Sequence, residues 1–194
     1  MATVGIPAKG VLLRKEAEVR ESLAKIGIDY EHWALDRVSI DTDPGAVLEA
    51  YSTEIAEMKR RGGYATADVI DVDPQTPGLD ALIDKFKSEH THDEDEVRFI
   101  LAGRGIFHIR PAEGDVVVVE VEAGDMIRVP RNTRHWFNLC SDRRIRAIRW
   151  FQQTSGWTPH YTESGLDKGY QPLCFGPQYL GPRVTTSIGA DSRA

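Results

Sequence analysis

The residues best suited to chemistry lie together in His90-Thr91-His92-Asp93-Glu94-Asp95-Glu96-Val97-Arg98-Phe99, which has the spacing H-x-H-x3-E. Imidazole and carboxylate are ligands that iron, nickel, zinc and manganese accept. Side chains of an extended strand alternate between faces with period two, so His90, His92, Glu96 and Arg98 share one parity. A fourth candidate ligand, His135, ends a second block that begins at Gly124-Asp125 and passes through Val129-Pro130. These residues predict a mononuclear metal site made by His90, His92, Glu96 and His135. Arg98, on the same face as Glu96, would place a cation beside the ion and favour a deprotonated substrate; the alternative is an internal salt bridge. The other histidines contrast with these. His108 lies between Phe107 and Ile109, the expected inward residues, and should face outward. His32 and His160 lie in loop-like sequence and read as surface residues.

Elements that position such a site can be read on either side of it. Leu12–Ile26 reads as a helix with Val19, Leu23 and Ile26 on one face and Gly27 as its stop. Asp43 is a cap for a second helix, with Pro44 in its first turn and Val47, Leu48, Tyr51, Ile55 and Met58 as an apolar stripe. Lys59, Arg60 and Arg61 suit its C-terminal dipole, and Gly62-Gly63 should end it. Residues 64–72 read as a strand broken by Asp73-Pro74. A third helix, from about Pro77 to Lys87, leads into His90. Short strands then follow at 97–101, 105–110, 116–121, 126–129, 135–139 and 145–151. Their spacing, with turn residues and no helices between, predicts a barrel or sandwich. The expected fold class is α+β: N-terminal helices packed on a small antiparallel β-barrel. One domain should span residues 1–180, helical over about 12–88 and barrel over about 90–151, with a C-terminal segment 152–180 and a mobile tail 181–194.

Composition limits the functional classes. The chain has 194 residues, 41% of them hydrophobic, enough for one domain with a real core. No apolar run of about 18 residues occurs, so no membrane span is expected. The N-terminus lacks the regions of a signal peptide. A formal charge of −6 argues against nucleic-acid binding. The expectation is a cytoplasmic protein acting on a small molecule, and a monomer. The two cysteines, Cys140 and Cys174, show no C-x-x-C spacing. They could pair, but in an unexported chain two free thiols are expected.

The two blocks resemble the paired motifs of the cupin superfamily, with Gly103 after Glu96 and with Gly124, Pro130 and His135. Asn132 and Asp84 stand where that pattern has glycines, and Asn138 comes one residue early. The string from His90 to Phe99 is more closely similar to the acireductone dioxygenase family. So are Val129-Pro130, His135-Trp136-Phe137, Ala147-Ile148-Arg149, Gly156-Trp157, Gly63-Tyr64 and Asp68-Val69-Ile70. The likeness covers roughly residues 12–172. It implies Fe(II) or Ni(II), one per chain, on the four ligands, with 1,2-dihydroxy-5-(methylthio)pent-1-en-3-one and O2 as substrates in methionine salvage. It further implies that Arg98 promotes the substrate dianion and that Phe86, Phe137, Arg149 and Trp157 form the substrate pocket. Glu89 and Glu94 would orient the histidines from behind. The rival readings are a cupin metalloenzyme of another activity, such as an isomerase, and a non-catalytic cupin that binds a small ligand.

Overall fold

The computed structural model describes residues 1–153, 157–172, 174 and 175. The tail expected from residue 181, and Gly156, lie outside these. The chain opens with a hairpin of β1 (Thr3–Ile6) and β2 (Val11–Leu13), followed by α1 (Glu16–Ala24) and β3 (Asp29–His32). Next come α2 (Pro44–Ala50), α3 (Ser52–Gly62), β4 (Thr66–Val72) and α4 (Leu79–Phe86). The rest is strand: β5 (His90–Thr91), β6 (Glu96–Arg110), β7 (Val117–Glu122), β8 (Asp125–Val129), β9 (Arg134–Leu139), β10 (Ile145–Phe151) and β11 (His160–Tyr161).

Local chemistry sets most helix ends where expected. Gly27 has φ 76°, and the N–H groups of Gly27 and Ile28 close the end of α1 on the carbonyls of Ala24 and Leu23. The Asp43 carboxylate accepts from the Gly45 and Ala46 N–H groups, and Pro44 occupies the first turn of α2. Two boundaries differ. Leu12 and Leu13 pair with β1, so α1 starts only at Glu16. The second helix is two helices, because Tyr51 leaves helical geometry and sets its buried ring edge-on against Phe99.

The two strands expected at 97–101 and 105–110 are one. β6 runs from Glu96 to Arg110 and bends at Gly103, where φ is 75°. A Cβ at Gly103 would stand 2.1 Å from the Arg144 carbonyl oxygen, so only glycine fits this crossing. Before the bend, β6 pairs with β8 and β10; after it, with β7 and β9. All the ladders are antiparallel, but they branch from β6 and end at open edges on β2, β3, β4 and β11 rather than closing a ring. The barrel expected from the sequence is thus a large branched antiparallel sheet folded about β6.

The bend divides the core into layers. Ile100, Phe107, Ile109, Val119, Ile127, Val129, Phe137 and Ala147 pack in the central layer. Val97, Phe99, Ile148 and Trp150 face the other way and are covered by Val47, Tyr51, Ile55 and Met58 of α2 and α3. The outer face beyond the bend carries Ile106, Val116, Val118 and Trp136, covered by Leu166, Tyr170 and Phe175 of the C-terminal segment. This cover corrects one expectation. His108 does face away from Phe107 and Ile109, but it is buried, stacked on Trp136 with its ring edge toward Tyr170.

A second correction concerns the cysteines. Cys140, just beyond β9, and Cys174 form a disulfide with Cα atoms 5.8 Å apart. The covering segment brings Cys174 back across the sheet to Cys140, a proximity that a separation of 34 residues does not announce.

Candidate metal centre

His90 and His92 do not share one strand with Glu96. β5 ends at Thr91, and the chain turns through Asp93–Asp95 before β6 begins at Glu96. Pairing does what simple alternation would not: β5 lies on β9 with His90 opposite His135. Glu96 faces Val129 at the start of β6. The four side chains are all buried, and one ligand atom from each lies within 4.8 Å of the others.

Each imidazole is held by a backbone carbonyl behind it. His90 Nδ1 donates to Ser88 O at 2.7 Å, His92 Nδ1 to Thr158 O at 2.9 Å and His135 Nδ1 to Thr133 O at 2.8 Å. A carbonyl can only accept, so Nδ1 carries a proton; in the neutral ring Nε2 then turns its lone pair into the cluster. The Nε2 atoms of His90 and His92 are buried with no hydrogen-bond partner. Those of His135 and His92 stand 3.1 and 3.2 Å from Glu96 Oε2, which is also only an acceptor. In a dry site only a cation among them, a metal ion or a proton on Nε2, reconciles these nitrogens with the carboxylate. Burial, reinforced by His135, pushes the His90 pKa down to about 3, which keeps the ring neutral. Burial alone would raise the Glu96 pKa; the Arg98 guanidinium beside it holds it well below the usual carboxylate range. The donor set therefore fits a first-row divalent metal.

Arg98 is buried, and its Nε donates to Glu96 Oε1 at 2.7 Å. Its guanidinium carbon lies 4.7 Å from the Phe137 ring centroid and 5.0 Å from that of Trp157. Internal salt bridge and charge beside the ligands are the same contact. Arg149 stands opposite Arg98 in the β6–β10 register and is held by both oxygens of Asp68, at 2.9 and 2.7 Å. Arg98, Arg149, Phe86 and Phe137 line an apolar cavity of about 40 Å³, together with Ile70, Leu82, Ile83 and Ile145. The Phe86 ring also lies 5.7 Å from His90 and 6.1 Å from His92. Trp157 is not among the cavity's lining residues. It packs on Phe151 and His92, and its Nε1 donates to Asp95 O at 3.1 Å.

The orienting role expected for Glu89 and Glu94 is not what the structure shows. The Glu89 carboxylate accepts from Thr162, Ser164 and Arg110, and Glu94 from the backbone N–H groups of Gln152 and Gln153. Both tie the C-terminal part of the chain to the ligand loop, while backbone carbonyls orient the rings. Asp95 is a structural residue that the sequence does not single out. Its carboxylate accepts from the Arg131 N–H at 2.9 Å, the Tyr64 hydroxyl at 2.9 Å and Arg128 at 3.0 Å. It joins the loop before His135 to the turn before Glu96. Its position between ligands in an acidic run is the only hint the sequence holds. His32 lies in β3 with its Nδ1 3.1 Å from Asp125, and exposed His160 pairs with Asp93 at 2.9 Å. Neither is among the four residues of the cluster.

Comparison with known proteins agrees with this arrangement. Residues 10–159 match the ARD/ARD′ family. An acireductone dioxygenase from Sulfurihydrogenibium sp. (strain YO3AOP1) is 38% identical over 173 residues, covering 84% of this chain and 96% of the relative. One from Bacillus thuringiensis (strain Al Hakam) is 40% identical over 170 residues, covering 83% of this chain and all of the relative, 100%. Among solved structures, the acireductone dioxygenase from Bacillus anthracis with a cadmium ion in its active centre superimposes with TM-score 0.79 at 39% identity. That match covers 83% of this chain and 98% of that one. By both sequence and structure, the chain belongs to the acireductone dioxygenase family.

Proposed function

We propose that this protein is a cytoplasmic cupin dioxygenase that oxidises 1,2-dihydroxy-5-(methylthio)pent-1-en-3-one with O2 in methionine salvage. One Fe(II) or Ni(II) ion per chain would sit on His90, His92, Glu96 and His135. The observation that carries the reading is the convergence of three carbonyl-held imidazoles and one carboxylate in a chain of this family. When bound, the ion supplies the Lewis acidity and redox chemistry of the reaction. The chain's own residues do the rest. Arg98 stabilises the charged form of an enediol more than the neutral form and so promotes its deprotonation. Phe86, Phe137 and the aliphatic cavity residues accept an apolar thioether tail and keep water from the reacting carbons. Asp68 fixes Arg149 at the cavity wall, where it can bond a substrate oxygen. Trp157 packs against the Arg98 guanidinium and steadies it.

The family resemblance implies two outcomes for the same substrate, and each balances in carbon. The Fe(II) form is expected to yield formate and 4-methylthio-2-oxobutanoate. The Ni(II) form is expected to yield carbon monoxide, formate and 3-(methylthio)propanoate. The test is to reload metal-free protein separately with each ion and mix it anaerobically with the acireductone. O2 is then admitted, the ultraviolet absorbance followed, and products and headspace gas assayed. Loss of the substrate absorbance no faster than in metal-free protein would overturn the activity. Identical products from both forms would overturn the metal-dependent outcome.

A further inference from the structure

A second group of metal-ligating atoms lies away from the catalytic cluster. Glu120 on β7, Cys140 beyond β9 and Cys174 in the C-terminal segment bring a carboxylate oxygen and two sulfurs within 4.8 Å of one another. Glu120 is 5% and Cys140 2% exposed. Glu120 Oε1 lies 3.3 Å from Arg104, while Oε2 is buried with no hydrogen-bond partner among the described residues. We propose that, once the Cys140–Cys174 disulfide is reduced, the two thiolates and the Glu120 carboxylate bind one soft divalent cation of the zinc class. The proposal is independent of the dioxygenase reading.

Two thiolates and a carboxylate carry three negative charges, against two on a divalent ion and one on the Arg104 guanidinium, which Asp142 shares at 3.8 Å. Glu120 Oε2, buried without a partner among the described residues, gains one from a cation held beside the sulfurs. Two sulfurs and one carboxylate oxygen are ligands that a borderline-soft ion accepts, and three protein donors leave a position for water. Disulfide and metal are mutually exclusive on the same sulfurs. The disulfide ties the C-terminal segment to the end of β9 and the metal would tie it to β7 as well, so the segment stays on the sheet in both redox states. Reduction by a trialkylphosphine breaks the Sγ–Sγ bond, transfers a water oxygen to phosphorus and leaves two thiols. Metal binding then releases the two thiol protons.

Cadmium is the probe, because a thiolate–cadmium charge-transfer band reports sulfur ligation and the His3Glu cluster contains no sulfur. In phosphine-reduced protein whose His3Glu cluster has first been filled with nickel, the band should saturate at one cadmium per chain, with both thiols shielded from an alkylating reagent and zinc displacing the ion. The disulfide form should show no band. Glu120→Gln should weaken cadmium binding at least tenfold. Cys174→Ser, which leaves Glu120 in place, should lose the saturable band and leave Cys140 open to alkylation. Absence of the band or of thiol protection in the reduced wild type would overturn the site. So would wild-type cadmium affinity in either variant.

Discussion

Arg98 carries the heaviest assignment of any single residue outside the ligands. It donates to Glu96 inside a dry core, so removing it has two separable effects. One is the loss of a partner for a buried carboxylate; the other is the loss of a cation beside the substrate. Arg98→Met keeps the apolar stem and removes the charge. Losing one unit of substrate pKa shift costs about 1.4 kcal/mol, or about tenfold in rate. The Fe(II)-loaded variant is therefore expected to keep most of its metal while turnover at neutral pH falls at least tenfold, with a smaller deficit at higher pH. Steady-state rates across pH, normalised to metal content, check this. A deficit independent of pH would assign Arg98 to scaffolding alone. The four-residue cluster and the Arg98–Glu96 contact were legible, because imidazole and carboxylate at tight spacing are rare without a purpose and strand parity puts Arg98 beside Glu96. The carbonyls of Ser88, Thr133 and Thr158 that orient the rings were not, because every residue has a carbonyl and side-chain chemistry does not mark them.

At the scale of elements, the bend in β6 matters most. It lets one strand serve both halves of the sheet and so brings Glu96 and Arg98 toward His135. Gly103→Ala places a methyl group against the Arg144 carbonyl and strains a left-handed residue. It should lower stability by about 3 kcal/mol, read as a shift of the urea midpoint at unchanged slope. An unchanged midpoint would show that the crossing relaxes freely. Helix caps and apolar stripes were read correctly at Asp43, Gly27 and Gly63, where a single residue type carries the signal. The continuity of β6 was not, since Gly103-Arg104-Gly105 looks like a hairpin turn until its partners are known. β1 and β3 are short strands whose only reason to extend is a distant partner, β7 and β8 respectively, and β2 follows β1 as its hairpin mate. Local sequence holds no trace of such a partner.

At the scale of the whole molecule, the C-terminal segment turns an outer sheet face into a third buried layer. His108 records that burial. Its pKa is pushed down to about 4 by desolvation, from an ordinary 6.5. Between those values the unfolded chain binds the proton and the folded one does not, so stability from this group is full above pH 6.5 and is lost as pH falls toward 4. The loss is about 3 kcal/mol by linkage. His108→Leu should flatten the acid side of the stability profile by that order, measured by urea unfolding from pH 4 to 7 against the wild type; equal profiles would contradict the burial. The inward–outward alternation of β6 was visible in the sequence, but not the segment that covers its outward side. The same cover joins Cys140 to Cys174, against the expectation of free thiols. All these layers converge on one claim, that four buried side chains hold a single metal ion. The most direct measurement is nickel content and acireductone consumption of disulfide-intact protein, wild type against His92→Ala. The account predicts one nickel per chain and full turnover in the wild type, with less than about a tenth of either in the variant, because a lost ligand strips the site. A folded His92→Ala protein that keeps a full equivalent of nickel and consumes the substrate at the wild-type rate would contradict it.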